Sequence, residues 1–348
     1  MSNAMKNRES GLDVLRLMAL FFVNGVHSFL HNGFYKEAQV GAAMWAADWM
    51  RWLFYCCIGI FLMLTGYLKS QKKPDRRYFM GLVPILLGYL LTCAISFPIR
   101  HFVMHASLSW RTWLVMLITF EDYAWYVEMY IGLLLVSPVI NLALQQLKTR
   151  KELLTAAGIA FCVTALPSVT GRNLVPDYWE ALYPFTYYIL GAVIRRLQPE
   201  VKLWKGLALT AGLLAALSTV SLLATDDVFT AGYSQGYGGF WVTLITAMIF
   251  VSFYKLRLKP RAAKVAAWMA GGCFEGFLLS YLLDVWVYDR FAMWHRPECY
   301  LLLIAAVTVP IWLCSILMGK GTHWVVEKLM PLFGKLRLPD FTKTGPKA

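Results

Sequence analysis

The chain has 348 residues, 59% of them hydrophobic and only 15% charged, with a formal net charge of +13. This composition lies far from that of soluble domains and describes a polytopic membrane protein, with no polar block long enough for a separate soluble domain. The positive charge does not signal nucleic acid, because it falls in short loops between apolar segments, where it faces an anionic leaflet.

Met1-Ser2-Asn3-Ala4 reads as a leftover of cloning with Met5 as the native start, and no cleavable signal peptide follows. Ten apolar segments are then predicted as spans: 12–31, 46–68, 78–99, 123–146, 152–168, 181–195, 203–224, 237–255, 264–286 and 299–319. Each is near the ~20 residues that cross hydrocarbon, with 152–168 and 181–195 short. The interrupted apolar stretch 107–120 reads as a re-entrant or interfacial piece. The expected organisation is therefore an N-terminal stretch 1–11, an all-α membrane domain over 12–319 and a basic tail over 320–348. Seven scattered cysteines show neither metal-ligand nor disulfide spacing and read as small buried hydrophobes, so no metal is expected.

Charge orients the spans. With the N-terminus inside, 25 of the 33 basic residues fall on the inner side, including the run Lys69, Lys72, Lys73, Arg76, Arg77. Seven fall outside: Lys36, Arg51, Arg100, Arg111, Arg172, Arg290 and Arg296. That asymmetry, repeated loop by loop, predicts an even number of spans with both termini cytoplasmic.

The remaining basic residue is Arg16, inside the first span, and His27 follows eleven positions later. An ionisable group at membrane depth costs about 2.5–3.5 kcal/mol on insertion scales and marks a candidate functional position. Eleven helical steps are three turns plus roughly 20°, so both side chains share one face, about 16 Å apart. His27 reads as a base, since imidazole takes and gives protons near neutral pH. The plain alternative is a histidine satisfied within the bundle or at the headgroups. Arg16 reads as an anion-binding group; the alternatives are snorkelling or pairing with Asp13.

Further candidates are weaker. Arg76 and Arg77 in the basic loop could hold phosphates, or simply be inner-side charge. Glu128 lies a turn or two into the fourth span and could orient His27, or be a neutralised or otherwise paired carboxylate. Glu275 in the ninth span invites the same readings, and Asp48 more weakly. The many tryptophans suit interfacial belts, though an aromatic-lined cavity would also suit a sugar. No phosphate loop, zincin motif or nucleophile elbow is present.

Leu12-Asp13-Val14-Leu15-Arg16 followed by His27-Ser28 resembles the opening helix of the acyltransferase-3 family of integral membrane O-acyltransferases. Its R-x10-H motif falls on Arg16 and His27. Its F-x-x-S-G-F/Y-L motif falls on Phe61 to Leu68, with Thr65 in the serine position. Trp125-Tyr126 through Ser137-Pro138-Val139-Ile140, and Tyr187-Tyr188-Ile189-Leu190-Gly191 with Arg195-Arg196, match two further motifs in order. The nearest flavour is the branch with enterobacterial common antigen O-acetyltransferase and the membrane domains of vancomycin-resistance-type serine racemases.

The resemblance implies ten spans in the plasma (inner) membrane, acetyl-CoA as cytoplasmic acyl donor, and a hydroxyl of a glycan or lipid-linked envelope molecule as acceptor. Mapped here, it makes His27 the base and Arg16 part of the donor site, with Arg76 and Arg77 toward CoA phosphates. Trp125 and Tyr67 become substrate-binding expectations. Three positions depart from the family pattern. Tyr123-Ala124 precedes Trp125 where a histidine is common, Ser280 stands where the ninth span carries histidine, and a further arginine after Arg77 is missing. The rival expectation is a transporter or sensor of a small polar molecule such as an amino acid, with Arg16, His27, Glu128 and Glu275 as an ion pathway.

Overall fold

A computed structural model describes residues 9–38, 40–106, 109–119, 124–169, 176–224, 236–288, 290, 297–334 and 336. The Met1–Ala4 start, Glu121, Asp122 and Tyr123, Arg172, Arg296 and the basic residues Lys335, Arg337, Lys343 and Lys347 lie outside them. In chain order the helices are α1 (Ser10–His31), α2 (Gly41–Tyr55), α3 (Cys57–Lys69), α4 (Arg76–Met80), α5 (Val83–Pro98), α6 (Trp110–Thr119), α7 (Trp125–Gln146) and α8 (Arg150–Thr164). They continue as α9 (Tyr183–Leu197), α10 (Leu203–Ala224), α11 (Phe240–Phe253), α12 (Pro260–Ala270), α13 (Cys273–Tyr288), α14 (Tyr300–Leu303) and α15 (Val309–Leu329).

The described residues form no strand, as the all-α expectation requires. Each of the ten predicted segments holds a helix, but among the described residues six helical stretches are long and apolar enough to cross a bilayer, or seven if α12 and α13, bent by 62° at Gly271–Gly272, count as one. The helices α8, α9 and α11 have 15, 15 and 14 residues, short of the ~20 that span hydrocarbon untilted. The 107–120 stretch yields only the ten-residue α6, moored to α5 by Trp113 Nε1, which donates to the Cys93 carbonyl at 3.2 Å. Beyond residue 319 the chain remains helical to Leu329.

The central element is α1, packed against α2, α3, α11, α12, α13 and α15. Its start is pinned by Ser10, whose Oγ donates to the Leu256 carbonyl (2.8 Å) and accepts from the Leu258 amide (3.0 Å). Two pairs of helices approach closely enough that only glycine fits. Gly66 of α3 lies under the Tyr188 carbonyl of α9, and Gly191 of α9 under the Met63 carbonyl of α3. On the other side of α1, a Cβ on Gly276 of α13 would lie 2.6 Å from the Ser315 carbonyl of α15, and one on Gly272 2.6 Å from the Lys320 amide. This small-xxx-small spacing is the usual route to backbone contact between helices in lipid.

Polar side chains clamp helix ends. Arg196 donates to the last carbonyls of α7, Leu144 and Leu147, both at 2.6 Å, which satisfies acceptors that a helix C-terminus leaves open. Thr149 and Glu152 form a capping box at the start of α8. Arg51, counted among the outer-side charges, is fully buried, its guanidinium 4.3 Å from the Trp52 and Tyr55 ring centroids. One reading from sequence is corrected. Of the seven cysteines, Cys162 and Cys314 are exposed, because they sit on the outward faces of peripheral helices.

Candidate active site

The helix α1 carries His27 on its C-terminal half. There His27 Nδ1 hydrogen-bonds Asp284 Oδ2 of α13. Asp284 is fully buried, while the His27 side chain keeps 21% of its surface open. An ionised Asp284 can only accept, which puts the imidazole proton on Nδ1 and the basic lone pair on Nε2 in that state. The open face of His27 meets a cavity of about 260 Å³, lined also by His31, Trp125, Tyr237, Phe277 and Tyr281. One wall is an aromatic column: Trp125 stacks on Tyr237 at 5.8 Å, Tyr237 on Tyr55 at 5.1 Å, and buried Arg51 covers Tyr55. Tyr288 fixes α13 against α1 by donating to the Asn24 carbonyl at 3.1 Å.

On the N-terminal half of α1, Arg16 donates to Asp13 Oδ1 at 2.6 Å and lines a second cavity of about 290 Å³. Thr65, Lys69, Tyr130, Glu275 and His323 share that lining. It opens into a wider mouth of about 580 Å³ that adds Glu9 and Arg195. Glu275 is buried and accepts from His323 Nδ1 at 2.9 Å.

A single helix, α13, thus supplies both carboxylates. Glu275 and Asp284 are nine residues apart, or two and a half turns, which sets them on opposite faces. One face gives Glu275 to α15 and the other gives Asp284 to α1.

The sequence candidates divide. His27 and Trp125 meet in the first cavity, and Arg16 lines the second. The carboxylate on His27 is Asp284; Glu128 lies on an exposed face of α7. Tyr67 is at the mouth of the Arg16 cavity, its ring 4.8 Å under the Arg195 guanidinium and its hydroxyl 3.4 Å from Glu9, not beside His27. Arg76 is committed elsewhere, donating to the Gly334 carbonyl at 2.6 Å and to that of Leu336. Arg77 is exposed, and neither arginine lines the cavities on Arg16 or His27. Glu275 takes the paired reading, with a histidine that lay in the expected tail. Sequence reasoning missed Asp284, though the rule that selected His27, an ionisable residue in an apolar run, applies to it equally.

The family profile described as an acyltransferase domain matches residues 9–319. The chain therefore belongs to the acyltransferase-3 family and is a multi-pass membrane acyltransferase. No curated protein and no solved structure matches it. Both cavities draw on the matched stretch, and His323 lies four residues past its end.

Proposed function

We propose that this acyltransferase is an O-acetyltransferase of the plasma membrane. It takes acetyl-CoA at the Arg16 mouth on the cytoplasmic side and acetylates a hydroxyl of a glycan or lipid-linked envelope acceptor held beside His27. The His27–Asp284 pair carries this reading, because it is a base with a fixed tautomer facing a cavity. His27 Nε2 takes the hydroxyl proton as the acceptor oxygen bonds to the thioester carbonyl carbon. The C–S bond then breaks, CoA leaves as thiolate, and the imidazolium returns the proton to sulfur. Asp284 remains ionised throughout and stabilises the imidazolium, the role of the third member of a nucleophile–base–orienter set.

The inner mouth suits a CoA thioester. Guanidinium groups such as those of Arg16 and Arg195 pair with phosphates in two-pronged fashion, and Leu64, Ile85 and Phe274 offer an apolar wall to a pantetheine arm. The ten-span arrangement with both termini inside accompanies this proposal, with α8, α9 and α11 as short or tilted crossings. Family membership, more than any cavity, weighs against the transporter reading. The test is transfer of radiolabelled acetyl from acetyl-CoA to envelope material by membranes holding the full chain. His27→Ala should abolish labelling while the purified variant keeps its thermal midpoint. Labelling at the unsubstituted rate would remove His27 from the mechanism. Stabilisation of the purified protein by CoA and not by free amino acids is expected on this reading, and the reverse would favour transport.

A further inference from the structure

The cavity on Arg16 and the cavity on His27 have one lining residue in common, Phe277. Its ring is 8% exposed and belongs to an aromatic cluster at the level where the two cavities meet. Tyr126 lies 5.2 Å from it edge-on, Phe61 lies 6.5 Å away, and Phe61 and Tyr126 are 6.2 Å apart. Phe61 and Tyr126 both line the inner cavity. The backbone beneath Phe277 is fixed, because the preceding residue, Gly276, is seated against the Ser315 carbonyl of α15. Along α13 the order is Glu275 on the inner cavity, Phe277 between the two, then Tyr281 and Asp284 toward His27.

We propose that Phe277, backed by Tyr126 and Phe61, is the partition the acyl group must pass and the residue that sets acyl chain length. This inference rests on the acyl-transfer reading above and adds a specificity determinant to it. A two-carbon acyl group presents little bulk beyond its carbonyl, so one displaced ring suffices to bring the thioester carbon before His27. Each further methylene must occupy volume that the clustered rings already fill. Close-packed aromatic walls tolerate added carbon poorly, and apolar pockets discriminate about 10- to 200-fold per methylene. The ring also keeps water of the outer cavity from a thioester waiting in the inner one.

The experiment supplies radiolabelled acetyl-CoA or butyryl-CoA to membranes holding the full chain in the cell that natively makes it, with His27→Ala as blank. Phe277→Ala should raise the butyryl-to-acetyl ratio of kcat/KM about tenfold or more. It should also raise CoA release into water from acetyl-CoA when acceptor is exhausted. A ratio within about twofold of the unsubstituted chain, in a variant of unchanged thermal midpoint, overturns the partition and leaves the acyl-transfer reading standing. If Phe277→Ala does not fold, Phe277→Leu, which keeps most of the apolar bulk but no ring, carries the same comparison. Unsubstituted membranes that label no better than the blank overturn the acyl-transfer reading itself, and the partition with it.

Discussion

Asp284 is a carboxylate buried in an apolar helix, at a desolvation cost that its bond to His27 reduces only in part. Asp284→Asn keeps the shape and removes the charge that holds Nδ1 protonated. We expect kcat to fall by about 10²–10⁴, the usual worth of positioned general-base catalysis, with KM for the acyl donor unchanged. Initial rates of label transfer measure both, and a full rate would place orientation of His27 elsewhere. Glu128→Gln, on an exposed face, should stay within about twofold. At the inner mouth, Arg195→Ala should raise donor KM about tenfold or more, since hydrogen bonds to charged groups contribute about 1.5–3 kcal/mol. Arg76→Ala should leave KM unchanged and instead increase proteolysis beyond Leu329, because its contacts are to the Gly334 and Leu336 carbonyls. Arg16 and His27 were legible in the sequence because a charge or imidazole stands out among leucines. Phe277 was not, since a phenylalanine in an apolar helix carries no mark of what lies on either side of it. That Tyr67 lies against Arg195 and Glu9, and that Arg76 reaches the Gly334 carbonyl, was not legible, because adjacency in a motif says nothing about where a side chain points.

At the scale of elements, the site is held by backbone contact between α13 and α15. Gly276→Ala would place a methyl against the Ser315 carbonyl and push the helices apart. Such overpacking costs typically about 1–3 kcal/mol, so the thermal midpoint of the purified protein should drop, and the His323–Glu275 pair should loosen with it. Gly212→Ala is the control. A Cβ there meets nothing within 4 Å, and alanine favours a helix over glycine by about 1 kcal/mol, so the midpoint should hold or rise. Equal losses at the two glycines would remove the special role of the α13–α15 contact. The helices themselves were readable from long apolar runs between basic loops. Their ends were less so: α15 outruns the apolar segment by about three turns, because a helix carried on by contacts with α5 and α13 needs no continuous hydrophobicity. That overrun is why His323 looked like part of a tail.

For the whole molecule, the bias of basic residues predicts sidedness. In a background with exposed Cys162 and Cys314 replaced by serine, Lys151→Cys should react with a membrane-impermeant maleimide only from the cytoplasmic face. Lys36→Cys and Asp177→Cys should react only from the opposite face. The comparison of residues 151 and 177 asks whether the 15-residue α8 crosses on its own. Labelling of both from one side would make it a surface helix and reduce the number of crossings.

The placement of Arg16 and His27 on one unbroken helix has a consequence for inheritance. The two ends of the proposed reaction path are locked in phase, as two cams are on one shaft. Inserting a single residue between them would turn one cam by about 100° and advance it by about 1.5 Å. His27 would swing off Asp284, or Arg16 out of the inner cavity, whichever end yielded. Loops of this chain can change length freely by comparison. Between residues 16 and 27 neither insertion nor deletion is neutral, and the stretch can diverge only by replacement, one side chain at a time.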